Sequence, residues 1–168
     1  MNNKKVLITG AAGFIGFHLA ELLLSKGWTV FGVDALTDYD DVNLKYDRLK
    51  LLKGWKEFDF EKVSLEDTNF VERYERSEFN VIVHLAAQAG VRYSIDNPRA
   101  YVDSNLVGTF QVLELAKNCK VQHLLMASTS SVYGSNKELP FRETEKADTQ
   151  MSFYAATKKA NEVMAHSY

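Results

Sequence analysis

Short apolar runs alternate with longer stretches whose apolar residues recur every three or four positions. Val6 to Thr9 is an apolar run that stops at Gly10, the pattern of a strand buried on both faces. Phe14 to Ser25 carries Phe14, Ile15, Leu19, Leu22 and Leu23 on a helical stripe and closes at Lys26-Gly27. Thr29 to Val33 predicts a second strand. Val42 to Leu52, with Val42, Leu44, Leu49 and Leu52 as its apolar positions, predicts a second helix, and Lys56 to Phe60 a charge-rich third strand. A helix over Thr68 to Arg76 begins beside Glu66 and Asp67, acids that suit its positive end. Val81 to Leu85 is a strongly apolar fourth strand. Pro98 to Lys117 predicts one long helix with Pro98 in its first turn. His123 to Ala127 is a fifth strand, and Ser152 to Tyr168 a final helix. Such alternation implies right-handed crossovers and a parallel sheet with helices on both faces. Tyr133 to Gln150 is left as a long polar irregular stretch, the kind of loop that is usually functional or mobile.

Composition narrows the class. A chain of 168 residues, 46% hydrophobic and 25% charged, suits one packed domain rather than a disordered segment. Its formal net charge of -2 offers no basic footprint for nucleic acid. No apolar run approaches the ~18 residues that span a bilayer, so no membrane partner is expected. The start Met1-Asn2-Asn3-Lys4-Lys5 leads into an apolar run that breaks at Gly10 with no cleavage site, which argues against a signal peptide. The single cysteine, Cys119, has no internal partner and fits a reducing cytoplasm. His18, His123 and His166 are isolated, so no metal is expected, and His84, ending a buried strand, reads as structural.

Three features carry chemistry. Gly10-Ala11-Ala12-Gly13-Phe14-Ile15-Gly16 joins the first strand to the first helix. Gly10 permits the tight turn, Gly13 lets main chain approach a pyrophosphate, Gly16 lets the helix pack closely, and the helix N-terminus offers free N–H groups at Phe14 and Ile15. Asp34 follows the second strand, where an acid accepts both ribose hydroxyls and repels a 2′-phosphate; this favours NAD over NADP. Tyr154 and Lys158 stand four apart, on one helical face, where a cation makes a phenol a better base. The hydroxyl run Ser128-Thr129-Ser130-Ser131 ends the fifth strand, at the edge where open parallel sheets bind ligands.

Together these motifs, with His84-Leu85-Ala86-Ala87, resemble the extended short-chain dehydrogenase/reductase superfamily. Within it, Asp38-Tyr39-Asp40-Asp41-Val42, Gln88-Ala89-Gly90-Val91-Arg92-Tyr93-Ser94 and Tyr154-Ala155-Ala156-Thr157-Lys158-Lys159-Ala160-Asn161-Glu162 look like the UDP-glucuronate 4-epimerases. The resemblance implies a Rossmann-like, doubly wound parallel sheet of strand order 3-2-1-4-5. It implies NAD as a recycled cofactor and a UDP-sugar substrate, UDP-glucuronate or UDP-galacturonate, inverted at C4 through a 4-keto sugar. Tyr154 is then the base, Lys158 its cation and ribose ligand, and Thr129 a hydrogen-bond donor to the 4-oxygen. Ser130, Ser131 and Arg92 face the substrate. Leu85, Ala86, Ala87, Gln88 and Asn105 line the cofactor cleft. Ser64, with Leu65 beside it, takes the place of the family's adenine-reading Asp, and Ala35 that of an Asn. Ser130 and Ser131 lack the carboxyl groups of the related 4,6-dehydratases. Family members are longer and add a C-terminal substrate lobe. Residues 1–168 are thus expected to be one NAD-binding domain with little activity alone and an exposed fifth strand. A homodimer through the helices starting near Pro98 and Ser152 is also implied. Two alternatives stay open: a 4-epimerase for a neutral UDP-sugar, and a non-catalytic NAD-binding module.

Overall fold

The computed structural model describes residues 4–168; the start of the segment weighed as a leader, Met1 to Asn3, lies outside the described residues. Five parallel strands form one sheet: β1 (Lys5–Thr9), β2 (Thr29–Asp34), β3 (Phe58–Lys62), β4 (Val81–His84) and β5 (His123–Met126). Their order is β3-β2-β1-β4-β5. The central strand shows why. Val6, Leu7 and Ile8 are all fully buried, and successive side chains point to opposite faces. Val6 and Ile8 pack with Ala20, Leu24, Leu49 and Leu52 from helices α1 (Phe14–Ser25) and α2 (Val42–Leu52). Leu7 packs on the other side with Phe70, Val112 and Leu115 from helices α3 (Phe70–Tyr74) and α6 (Gly108–Cys119). A sheet covered on both faces needs the continuous apolar runs seen in β1 and β4.

The structure corrects several element boundaries. The third strand lies two residues later than Lys56 to Phe60: Phe58 is the residue that enters the core, and its N–H still closes a turn to the Trp55 carbonyl. The helix expected over Thr68 to Arg76 shrinks to Phe70–Tyr74, because the Asp67 carboxylate caps the Asn69 N–H in a preceding turn. The helix expected over Pro98 to Lys117 forms as one helical run from Pro98 to Cys119, with a widened turn inside it and a short helix before it. Helices α4 (Tyr93–Asp96) and α5 (Pro98–Tyr101) meet at Asn97, whose φ of -134 is not helical. A π-helical segment, Val102–Val107, then leads into α6, which runs on to Cys119. Helix α7 (Phe153–Ser167) starts where Ser152 Oγ accepts the Ala155 N–H at 3.1 Å. The stretch read as irregular between Tyr133 and Gln150 is tied down. Gln150 Nε2 donates to the carbonyls of Val132 and Ala147, Ser135 N donates to the Thr149 carbonyl, and Tyr133 stacks on Phe141 at 4.6 Å. β5 is the far edge of the sheet, and its Leu125 is 45% exposed.

Candidate dinucleotide cleft and tyrosine–lysine site

Register aligns the strand ends: Thr9 pairs with Val33 and His84, and His84 with Met126. The segments leaving β1, β2, β4 and β5 therefore emerge along one edge. Gly10 adopts φ +72 and donates its N–H to the Val33 carbonyl at 2.8 Å. A Cβ there would meet Ala86 N at 2.8 Å, and one on Gly16 would strike the Gly10 carbonyl. The loop and helix thus interlock as the glycine spacing predicted. Gly13 caps α1 with no side chain, no acid occupies the first turn, and the first helical bond runs from Phe17 N to the Gly13 carbonyl. The N–H groups of Phe14, Ile15 and Gly16 are left to an anion. The side chains of Phe14 and Ile15 are exposed, so their contribution is main-chain.

Asp34 is held on the other side of this loop. Its carboxylate accepts N–H bonds from Ala12 at 3.1 Å and Leu36 at 2.8 Å. A cleft of about 290 Å³ opens here, walled by Gly10, Gly13, Asp34, Ser64 and the run Leu85 to Ala89. Ser64 donates to Glu66 Oε1 at 3.0 Å. Leu65 does not line the cleft; it is buried in the core under Gly108.

The cleft floor rests on a network the sequence did not reveal. Thr9 Oγ1 accepts the N–H groups of Leu85 and Ala86, at 3.2 and 3.1 Å. A hydroxyl has two acceptor sites and one proton, so the proton goes to His84 Nδ1, 2.8 Å away. His84 then carries its own proton on Nε2 and donates it to Thr109 Oγ1 at 3.1 Å. Burial, helped by the charge of Lys158, pushes the His84 pKa down to about 3, so the ring stays neutral. Asn105 sits behind the cleft rather than along it. Projecting from the π segment, its amide accepts the Gln88 N–H at 2.8 Å and donates to the Gln88 carbonyl at 3.0 Å and Thr157 Oγ1 at 3.1 Å. Thr157 in turn donates to the Tyr154 carbonyl at 2.8 Å. Asn105 thus couples the floor to the helix bearing Tyr154.

Lys158 is buried to 4% exposure, and among the described residues its ammonium has neither a hydrogen-bond acceptor nor an ion pair. Burial lowers its pKa, and Glu162 one turn on partly offsets this. Glu162 itself accepts from Ser128 Oγ at 2.5 Å and Lys159 Nζ at 2.8 Å, joining the end of β5 to α7. Thr129 caps a 3₁₀ turn, Ser130–Tyr133, by accepting the Ser131 N–H, which leaves its own proton free to donate. Ser130 and Ser131 line a shallow depression of about 230 Å³ with Val91 and Phe141. Arg92 stays exposed at the start of α4, outside that depression. Among the described residues no cluster of His, Cys, Asp and Glu has metal-binding form, and no helix is long and apolar enough to cross a membrane.

The doubly wound sheet, with its glycine turn at the switch between β1 and β4 and an acid at the end of β2, defines a Rossmann-like fold. Residues 7–168 match the family described as GDP-mannose 4,6 dehydratase, and the chain belongs to that family. A probable UDP-glucuronate 4-epimerase of Rhizobium meliloti (strain 1021) is 53% identical over 165 residues, 98% of this chain and 48% of that protein. A UDP-glucuronate 4-epimerase of Thermodesulfobacterium geofontis is 46% identical over 163 residues, 96% of this chain and 50% of that protein. Among solved structures, the UDP-glucuronic acid 4-epimerase of Bacillus cereus, in complex with UDP-glucuronic acid and NAD, superimposes with TM-score 0.89 and 34% identity. It covers 98% of this chain and 52% of the other. The chain spans about half the length of the curated relatives it matches.

Proposed function

We propose that this chain is the NAD-binding part of a cytoplasmic UDP-hexuronate 4-epimerase that interconverts UDP-glucuronate and UDP-galacturonate. The observation that carries this reading is Lys158, a lysine 4% exposed that has no hydrogen-bond or ion-pair partner among the described residues, one helical turn from Tyr154. An ammonium on so enclosed a side chain keeps little water, and ribose hydroxyls are suitable acceptors for its hydrogen bonds. The uncapped start of α1, with no room for a Cβ at Gly16, suits a diphosphate. The two free lone pairs on Asp34 suit an unphosphorylated ribose.

NAD, when bound, supplies reversible hydride acceptance at C4 of the sugar. The chain's own residues supply the rest. Tyr154 takes the 4-hydroxyl proton and later returns it, and the Lys158 charge stabilises its phenolate. Thr129 directs its free proton to the 4-oxygen. Ser130 and Ser131 offer hydroxyls to the C5 carboxylate, with Arg92 at the rim. Ser130 and Ser131, directly after Thr129, carry no carboxyl group, which argues against eliminating water. The exposed Val107, Phe110 and Val163 on α6, its leading turn and α7 support a dimer through those helices.

The test is whether the purified chain holds NAD. Calorimetric titration should show saturable binding of NAD, and weaker binding of NADP because Asp34 repels the 2′-phosphate. A folded chain that ignores millimolar NAD, or prefers NADP, overturns the proposal.

A further inference from the structure

Tyr39 lies outside the groups assigned above, yet it touches both walls of the cleft. It belongs to the segment that leaves β2 and forms the outer wall with Thr37 and Asp40. Lys45, buried on α2, roots that wall by donating to the Thr37 carbonyl at 2.7 Å. The Tyr39 ring crosses to the β4 side and packs on Tyr93 at 5.0 Å. Its hydroxyl lies against Gly90, where a Cβ would collide with it. The receiving side is stiff: the Tyr101 hydroxyl shares its one proton between the Ala89 and Gly90 carbonyls, 2.6 and 2.5 Å away, and Tyr101 is fully buried. Rings continue from Tyr93 to Tyr101 at 6.2 Å and from Tyr101 to Tyr154 at 6.0 Å. Tyr39 itself is 42% exposed and makes no hydrogen bond across the gap among the described residues. Its hold is an aromatic contact that opens without breaking a polar network.

We propose that Tyr39 is a cofactor-retention residue: it bridges the cleft mouth to Tyr93 and Gly90, so that a dinucleotide lying between the Gly13 turn and Lys158 enters and leaves only when the bridge opens. This rests on the NAD-binding reading. A cofactor that is regenerated in each turnover gains from slow release, and a bridge supplies this without tighter equilibrium binding.

A bridge and a direct contact differ kinetically. Removing a direct contact raises the off-rate and weakens affinity together. Removing a bridge speeds entry and exit alike. Stopped-flow fluorescence of NADH gives both rates for wild type, Tyr39→Phe, Tyr39→Ala, Tyr93→Ala and the double alanine variant. Tyr39→Ala should raise both rates about five- to ten-fold, the scale of one lost aromatic pair, with Kd within about two-fold of wild type. Tyr39→Phe should match wild type. Tyr93→Ala should repeat Tyr39→Ala, and the double variant should be no faster than either. Melting temperatures confirm that each variant is folded. Unchanged rates in Tyr39→Ala, or an off-rate that rises alone with Kd in step, overturn the bridge and leave NAD binding standing. A wild-type chain that binds no NADH overturns both.

Discussion

Acid should unfold this protein earlier than its carboxylates alone require, and His84 is the reason. The ring is 2% exposed, accepts a proton from Thr9 and donates one to Thr109. Protonating Nδ1 would break the Thr9 bond and place a charge in the core beside Lys158. The folded chain therefore resists protonation until about pH 3, whereas an unfolded histidine takes its proton near 6.5. Between those values the unfolded state binds more protons, so stability is complete above about pH 6.5 and falls as pH drops. At about 1.4 kcal/mol per pKa unit, integrating from about pH 7 to pH 5 gives a loss of about 2 kcal/mol from this one group. Carboxylates titrate mainly below that window, which isolates the histidine. Urea unfolding of wild type and His84→Gln across the window reads the effect, since glutamine keeps hydrogen-bonding atoms and cannot titrate. The variant is less stable at neutral pH, but its stability should be nearly flat where wild type declines. Parallel slopes in the two proteins would refute the assignment of a neutral, proton-refusing His84.

Two further outcomes follow from the buried polar groups. Lys158→Met should leave the melting temperature unchanged or raise it, because it removes the charge from a nearly buried side chain that has no hydrogen-bond or ion-pair partner among the described residues. The same change should weaken NAD binding at least ~10-fold, the scale of one lost charged hydrogen bond, as measured by calorimetry. Asn105→Ala should cost about 2–4 kcal/mol in urea unfolding, because both main-chain groups of Gln88 and the Thr157 hydroxyl lose a buried partner together.

The parts legible in the chain were those set by local pattern. β1, α1 and β2 fall nearly where their apolar runs and glycines put them, because each is specified by its own side chains. β3 was displaced because Phe58-Asp59-Phe60-Glu61-Lys62 is an edge strand with a weak alternation, and only its docking against β2 selects the register. The π segment escaped notice because its apolar spacing passes for an ordinary helix. Only the inward turn of Asn105 reveals it. Asp34, Gly10, Gly13 and Leu85 to Gln88 were found by motif, and the structure gathers them around one cleft. Leu65 and Asn105 were assigned to that cleft through the family resemblance; the Leu65 side chain packs in the core and the Asn105 amide is spent on Gln88 and Thr157. Thr9 was read as the end of a strand and the start of the glycine motif, with no bonding role of its own. Its signal was available: a hydroxyl just before the first glycine, opposite a histidine in the neighbouring strand.

The π segment between Val102 and Val107 works like a vernier set into a screw. A residue in an ordinary helix advances the thread by about 100°. Every four residues a regular coil therefore drifts by about 40°, and the widened turn takes that drift out. Tyr101, Asn105 and Thr109, spaced four apart, stay in one file and reach the Ala89–Gly90 carbonyls, Gln88 and His84 in turn. A single deletion between Tyr101 and Thr109 would break that spacing at one step and cost one of the three contacts, so chain length here is constrained along with residue identity.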